Sequence, residues 1–464
     1  MGVDIAIVAG YVLLLVGMSL RGGKGMHNAA DFTAAGKRYG TAVIFATMAA
    51  SYVGGGYSSG NAAAAFDHGL STTVALGGFS LSMILIGIFI APGADRFRGE
   101  ATVGGVIGRC YGRSARVLTG VFSFLVCAGV VGAQVETMGV VFRVLLGLPS
   151  AVGSLLGCAI VLVYSTFGGM QSVIVADVLQ FTLLALGMPL LLAAGLHRAG
   201  GIEAVLQAVP AAHLDPLSGT TQAGLLSLFG CMMLGEALVP PYTQRLLIGK
   251  NARSTARGTV LSGLFSIPFF MVTGLIGLVA YALRVSDQAA TAMPELIRAV
   301  LPVGVRGIVM AAMVSIMLSA ADSFLNSASI SLVCDTLMPL RPGMTDRQQL
   351  RALRMTNLLT GAAAIAVSFA VPDVFGILML AYSCWAPLVL VPLAAGFLGV
   401  RSNGRAFRYA LLTGLLLTIL WNGPLHQPWG IDGCMVGVLG NLAVFTACTR
   451  AFARYRSPTL KMWI

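Results

Sequence analysis

Blocks of apolar residues alternate along the chain with short segments that hold most of its charge. Each block approaches or exceeds the roughly 20 residues a helix needs to cross a hydrocarbon core about 30 Å thick. The pattern predicts helices near 4–20, 42–66, 73–93, 117–146, 150–167, 172–196, 224–246, 258–283, 303–335, 355–371, 374–399, 406–421 and 431–449, thirteen in all. Two of them carry their own interruptions. Gly54-Gly55-Gly56 falls inside the second block, and Gly235-Glu236 followed by Pro240-Pro241 falls inside the seventh. In lipid, a broken backbone is tolerated only where its freed groups are buried in protein or line a cavity, and there the carbonyls can coordinate a cation. A pair of interrupted helices is therefore the best pointer in this sequence to a binding site at the membrane midplane.

Composition agrees with this all-α polytopic membrane class: 57% of the 464 residues are hydrophobic and 10% are charged, against about 25% charged in soluble domains. The first block is read as a helix and not a signal peptide, since Asp4 stands where a basic segment would be and no small-residue cleavage site follows. With the N-terminus outside, 24 of the 29 Lys and Arg fall in cytoplasmic segments, leaving Arg143, Arg198, Arg284, Arg298 and Arg306 outside. That asymmetry is the positive-inside rule, and it predicts a multi-pass protein of the plasma (cytoplasmic) membrane with its C-terminus inside. The net charge of +12 then reflects topology, not a nucleic-acid partner, because the basic residues are spread over six segments. No oligomer is required by the pattern.

Cofactor and enzyme signatures are not found in the sequence. The eight cysteines form no CxxC pair, the five histidines show no metal-ligand spacing, and no nucleotide, kinase or hydrolase motif occurs. What remains is a set of acids inside the predicted helices: Glu136, Asp177, Glu236 and Asp322. An acid there costs several kcal/mol unless paired or hydrated. No lysine or arginine is expected deep enough to neutralise them. Ser319, Asp322 and Ser323 share one helix face at i, i+3 and i+4, and oxygen ligands of this kind suit a hard cation such as sodium.

With DFTAAGKRYG, ATMAASYVGGGYSSG, VYSTFGGMQSVIVADVLQF, PPYTQRLLIGKNARSTARG and MLSAADSFLNSAS, the chain resembles the sodium:solute symporter family, which includes sodium-coupled glucose, proline, pantothenate and choline transporters. VGGGYSSG and GFSLSMILIGIFIAP are most similar to the high-affinity choline branch. The resemblance implies a single transporter domain with the leucine-transporter-type fold. Residues 1–41 would form an extra helix and loop, 42–196 and 224–399 two five-helix inverted repeats, and 405–464 two final helices and a basic tail.

The same resemblance implies a main sodium site made by the carbonyls of Ala50, Val53 and Ile316 and the hydroxyl of Ser319. Ala50 and Val53 lie eight to eleven residues into their helix, about 12–17 Å deep at the helical rise. The family's second hydroxyl is replaced by Ala320. Asp177, Asp322 and Ser323, with Ser319, match a further sodium site of some relatives, so one and two ions stay equally open. The solute cavity is expected between the breaks, lined by Tyr52, Tyr57, Glu136, Val239 and Tyr242. Where the choline branch cages its substrate with tryptophans, this chain has Tyr52, Val130 and Val239.

Glu236, close to the midplane by its depth, either takes a counter-charge from an amine on the solute or is protonated or bonded to backbone freed by the prolines, and the first reading is preferred. The sequence thus predicts a sodium-coupled symporter of a small organic solute, an amine or amino acid, working by alternating access. The readings kept beside it are a solute sensor without net transport and a proton-coupled symporter of a sugar or carboxylate.

Overall fold

The computed structural model describes residues 2–22, 32–33, 39–218, 220–371 and 374–454; of the basic residues used for orientation, Lys24, Lys37, Arg38, Arg456 and Lys461 lie outside them. Among the described residues the chain is predominantly helical, with no strand beyond an isolated bridge between Tyr39 and Gly249, and nine helices are long and apolar enough to cross a membrane. Three shorter apolar helices, at Thr41–Tyr52, Ser150–Thr166 and Gln222–Leu234, and the helix Gly404–Asn422 account for the rest of the thirteen expected blocks.

The elements that build the interior are α1 (Gly2–Gly22), α2 (Thr41–Tyr52), α3 (Asn61–His68), α4 (Gly77–Leu85), α5 (Arg113–Leu146), α6 (Ser150–Ala199), α7 (Gln222–Leu234), α8 (Pro240–Leu247), α9 (Ala252–Ala282), α10 (Val305–Ile330), α11 (Asp346–Ala370), α12 (Val374–Ser383), α13 (Gly404–Asn422) and α14 (Gly433–Arg454). Helix α10 is central, packed along α1, α5 and α6. Buried side chains fill 94% of the most apolar window of its span, against 22% for α1. The core helix can therefore afford serines and an aspartate that bond to protein, whereas α1 turns Leu13 and Leu14 outward, as lipid-facing apolar residues do.

Helix ends are set by local chemistry. Asn251 caps α9 by accepting from the Ser254 N–H, and Thr345 and Gln348 form a capping box at α11. Two expected helices, 150–167 and 172–196, run together as α6 across a joint at Gly169, whose φ of 57° favours glycine. That joint places Asp177 two turns later, facing α2 and α10 through its bonds to Thr47 and Ser319.

Candidate functional site

The first break opens after Tyr52. Val53 leaves the helical region at ψ 73°, and the Gly54 N–H turns to the Tyr52 carbonyl (2.6 Å). The chain re-enters helix through a π-turn over Gly56–Gly60 that leads into α3. Glycine is required here by proximity. A Cβ at Gly54 would sit 2.8 Å from the Gln134 amide, and one at Gly55 would sit 2.5 Å from Thr137 Oγ1. The break is thereby pressed onto α5, where Gln134 Oε1 accepts the Gly55 N–H at 2.6 Å. Gly54 also lies against Ala320, so the break and the middle of α10 are neighbours.

The second break spans Gly235 to Val239. Pro240 and Pro241 do not interrupt a helix; they open α8 at its first two positions, where a missing N–H costs nothing. Leu238 is held at φ 55°, an unfavourable conformation for leucine. Its carbonyl accepts the Thr243 hydroxyl (2.7 Å), and the Ala237 carbonyl accepts the Trp385 indole N–H (3.0 Å). Two carbonyls of this break are thus bonded within the protein.

Between the breaks lies a space of about 10 Å³, bounded by Tyr52, Tyr57, Gln134, Glu236, Phe324 and Tyr382 among others. That is about one water-sized group. Glu236 is buried and accepts three tyrosine hydroxyls: Tyr242 at 2.5 Å, Tyr382 at 2.9 Å and Tyr57. Phe79 packs at a tilt against both Tyr52 (ring centroids 4.8 Å apart) and Tyr57 (5.1 Å), and Phe324 stands 6.0 Å from Tyr242. One carboxylate sits in a box of aromatic rings.

Not every expected solute residue is there. Glu136 is half-buried and lines a separate cavity of about 450 Å³ together with Asp67, His68 and Ser59, on the α3 side of the glycine break. Val239 is buried as the residue before α8 and does not border the central space. Tyr382, Gln134, Phe79 and Phe324 were missed. They lie on unbroken stretches of helix or beyond a break in another segment, and no spacing in the sequence ties them to Glu236.

The ion residues also separate into groups. Ser319 donates to Asp177 Oδ1 at 2.7 Å, and Thr47 donates to Asp177 Oδ2. Asp322 takes no part in that cluster; its Oδ1 accepts from Asn326 (2.8 Å), which also donates to Ser165. Contrary to the expectation that no basic residue reaches the buried acids, Arg245 is fully buried and pairs with Asp177 at 3.1 Å. Its position near the C-terminal end of α8 groups it with the basic residues of a cytoplasmic segment, but this short helix carries it inward.

The comparisons with known proteins fall on this geometry. Residues 32–408 match the model of the sodium:solute symporter family. The chain belongs to this family. A high affinity choline transporter 1 of Homo sapiens is 27% identical over 403 residues, covering 80% of this chain and 68% of the relative. A sodium-coupled sialic acid symporter solved in a substrate-bound outward-open state superimposes with a TM-score of 0.83 at 16% identity, covering 98% of both chains. Mhp1, a nucleobase-cation-symport-1 family transporter in a closed conformation, gives 0.60 at 16% identity over 90% of this chain and 95% of its own. These likenesses show the fold, a leucine-transporter-type bundle with two inverted repeats. Family membership carries the coarse activity, sodium-coupled symport of a small solute.

Proposed function

We propose that this symporter moves a small organic amine, bound as a cation between the two breaks and coupled to sodium held at the first. The observation that carries the reading is Glu236: a buried carboxylate with three tyrosine donors, ringed by aromatic faces and with no Lys or Arg bonded to it among the described residues. A cation is what such a box attracts, by charge and by the ring quadrupoles. Tyrosine and phenylalanine faces would do here what tryptophans do in the choline branch, and the likeness to a choline transporter supports the same class of solute. Asp67 and Glu136, both lining the larger cavity, would raise the local concentration of cations on the approach.

The central space is too small for an organic solute, so binding has to part the tyrosines from Glu236 or from one another. That is the alternating-access step, with the larger cavity as the outer vestibule and the extracellular side of the expected orientation. Sodium would be held by the carbonyls of Ala50, Val53 and Ile316 and by Ser319, whose hydroxyl donates to Asp177 and keeps its lone pairs for the ion. Under an imposed sodium gradient, proteoliposomes should accumulate a labelled amine from a panel of amines, amino acids, sugars and carboxylates. Accumulation of a sugar or a simple anion in its place would overturn the solute class, and binding without accumulation would favour a sensor.

A further inference from the structure

Away from the two breaks' shared space, one group of three His, Cys, Asp or Glu side chains is gathered closely enough among the described residues to hold a metal ion: Cys231, Asp432 and Cys434, whose ligand atoms all lie within 4.8 Å of one another. They join two helices. Cys231 is in the last turn of α7, just before the second break opens at Gly235, while Asp432 stands immediately before α14 and Cys434 lies in its first turn. Both thiols are buried and the carboxylate is half-buried. We propose that Cys231, Asp432 and Cys434 bind a soft divalent cation of the zinc class, which ties the first half of the second broken helix to α14.

The local frame holds the three ligands in place. Asp432 Oδ1 accepts the Cys434 N–H at 2.7 Å, and the Asp432 N–H donates to Ser227 Oγ at 2.8 Å. Ser227 and Cys231 are four residues apart and share a face of α7. From the other side, Trp421 donates its indole N–H to the Ile431 carbonyl (2.8 Å) and Asn422 Oδ1 accepts the Gly433 N–H (2.6 Å), so α13 pins the same segment. The two helices touch here: a Cβ at Gly230 would sit 2.6 Å from Met435 Cε. Two sulfurs and a carboxylate are a donor set for zinc, whereas sodium and calcium prefer oxygen alone. Bonds of about 2.3 Å to sulfur and about 2.0–2.2 Å to oxygen put the ligands of a tetrahedral ion roughly 3.7 Å apart, so the three have to close by about 1 Å at most. Each thiol gives its proton to water as its sulfur bonds the metal, and water fills the fourth position on the half-buried side at Asp432. Packing alone would ask for the two thiols and not for a carboxylate beside them.

Titration of the purified full-length protein with cadmium, under a reductant that does not bind metal, tests the inference through the ultraviolet cadmium–thiolate charge-transfer band. One cadmium ion per polypeptide is expected, displaced by zinc, and zinc should raise the melting temperature by binding the folded state alone. Removing a group that merely supports a metal ligand costs about 10–100-fold in affinity, so loss of a ligand in Cys231→Ser or Cys434→Ser should cost about a hundredfold or more and abolish the thermal shift. Cys448→Ser, at the opposite end of α14, should change neither. Asp432→Asn keeps an oxygen to cap Cys434 and should weaken cadmium about tenfold or more; if the cysteine variants do not elute as folded monodisperse species, this variant decides. No stoichiometric band on the unmodified protein, an unchanged affinity in a folded cysteine variant or in Asp432→Asn, or binding of zinc without a thermal shift overturns the proposal. None of these readouts depends on the solute or on sodium, so their failure is distinct from a failure of the transport reading.

Discussion

Ser319 and Ala320 sit side by side at the point where α10 meets the first break, and in the proposed sodium site they would set how well the ion is held. Removing the Ser319 hydroxyl takes a ligand from the ion and a donor from Asp177, a loss of about 1–3 kcal/mol for a buried polar group. Ser319→Ala should therefore raise the sodium concentration for half-maximal uptake about tenfold or more. Ala320→Ser puts back the oxygen that the family pattern has at this position, next to Gly54, and should lower it. Sodium titrations of uptake check both, and an unchanged affinity in both variants would place the ion elsewhere. Glu236 is the proposed counter-charge of the solute. Truncating one partner of a buried charge pair costs about 2–5 kcal/mol, so Glu236→Gln should cut amine uptake about a hundredfold or more while leaving sodium binding in place; undiminished uptake in the variant would exclude Glu236 as the counter-charge. Residue-scale chemistry was legible where one position carries it alone: the buried acids and the missing hydroxyl can be read off the sequence. The three hydroxyls on Glu236 could not be, since Tyr57, Tyr242 and Tyr382 reach it across separations of 179, 6 and 146 residues.

At the scale of elements, the two broken helices owe their geometry to different causes. The first is a matter of space: its glycines let the backbone lie directly on α5. Gly55→Ala would press a methyl to 2.5 Å from Thr137 Oγ1, a short side chain with little room to yield, whereas at Gly56 the nearest atom is the flexible tip of Leu378. Overpacking of this kind costs about 1–3 kcal/mol. Gly55→Ala should lose most uptake and lower the melting temperature of the purified protein, while Gly56→Ala should fall between it and the unmodified protein; the reverse order would mean that the break is not seated on Thr137. The second break is fixed by Pro240-Pro241, which make α8 start where it does, and by Trp385 and Thr243, which take up the freed carbonyls. Glycine runs and prolines are local signals, so both breaks were visible in the sequence. The helix α8 was harder to place, because a stretch ending QRLL looks like a loop by charge and becomes interior only when its arginine finds Asp177.

For the whole molecule, the distribution of Lys and Arg over the connecting segments predicts an outside N-terminus and an inside C-terminus. Single cysteines placed at Arg109 and Arg347, in a background without accessible native thiols, should be protected from an impermeant thiol reagent in right-side-out cells and react after permeabilisation. Reaction in intact cells at either position would invert the orientation, and with it the assignment of the larger cavity to the outside. By itself the sequence determined the membrane class, the placing of the helical blocks and the two interruptions, because the hydrophobic cost of crossing lipid and the backbone effects of glycine and proline are paid residue by residue along the chain. The tertiary structure alone decided which buried charges are neutralised and by what. Arg245 and Asp177 are 68 residues apart, and only the packing of α8 against α6, α2 and α10 turns a basic residue of a connecting segment into the internal partner of a buried acid.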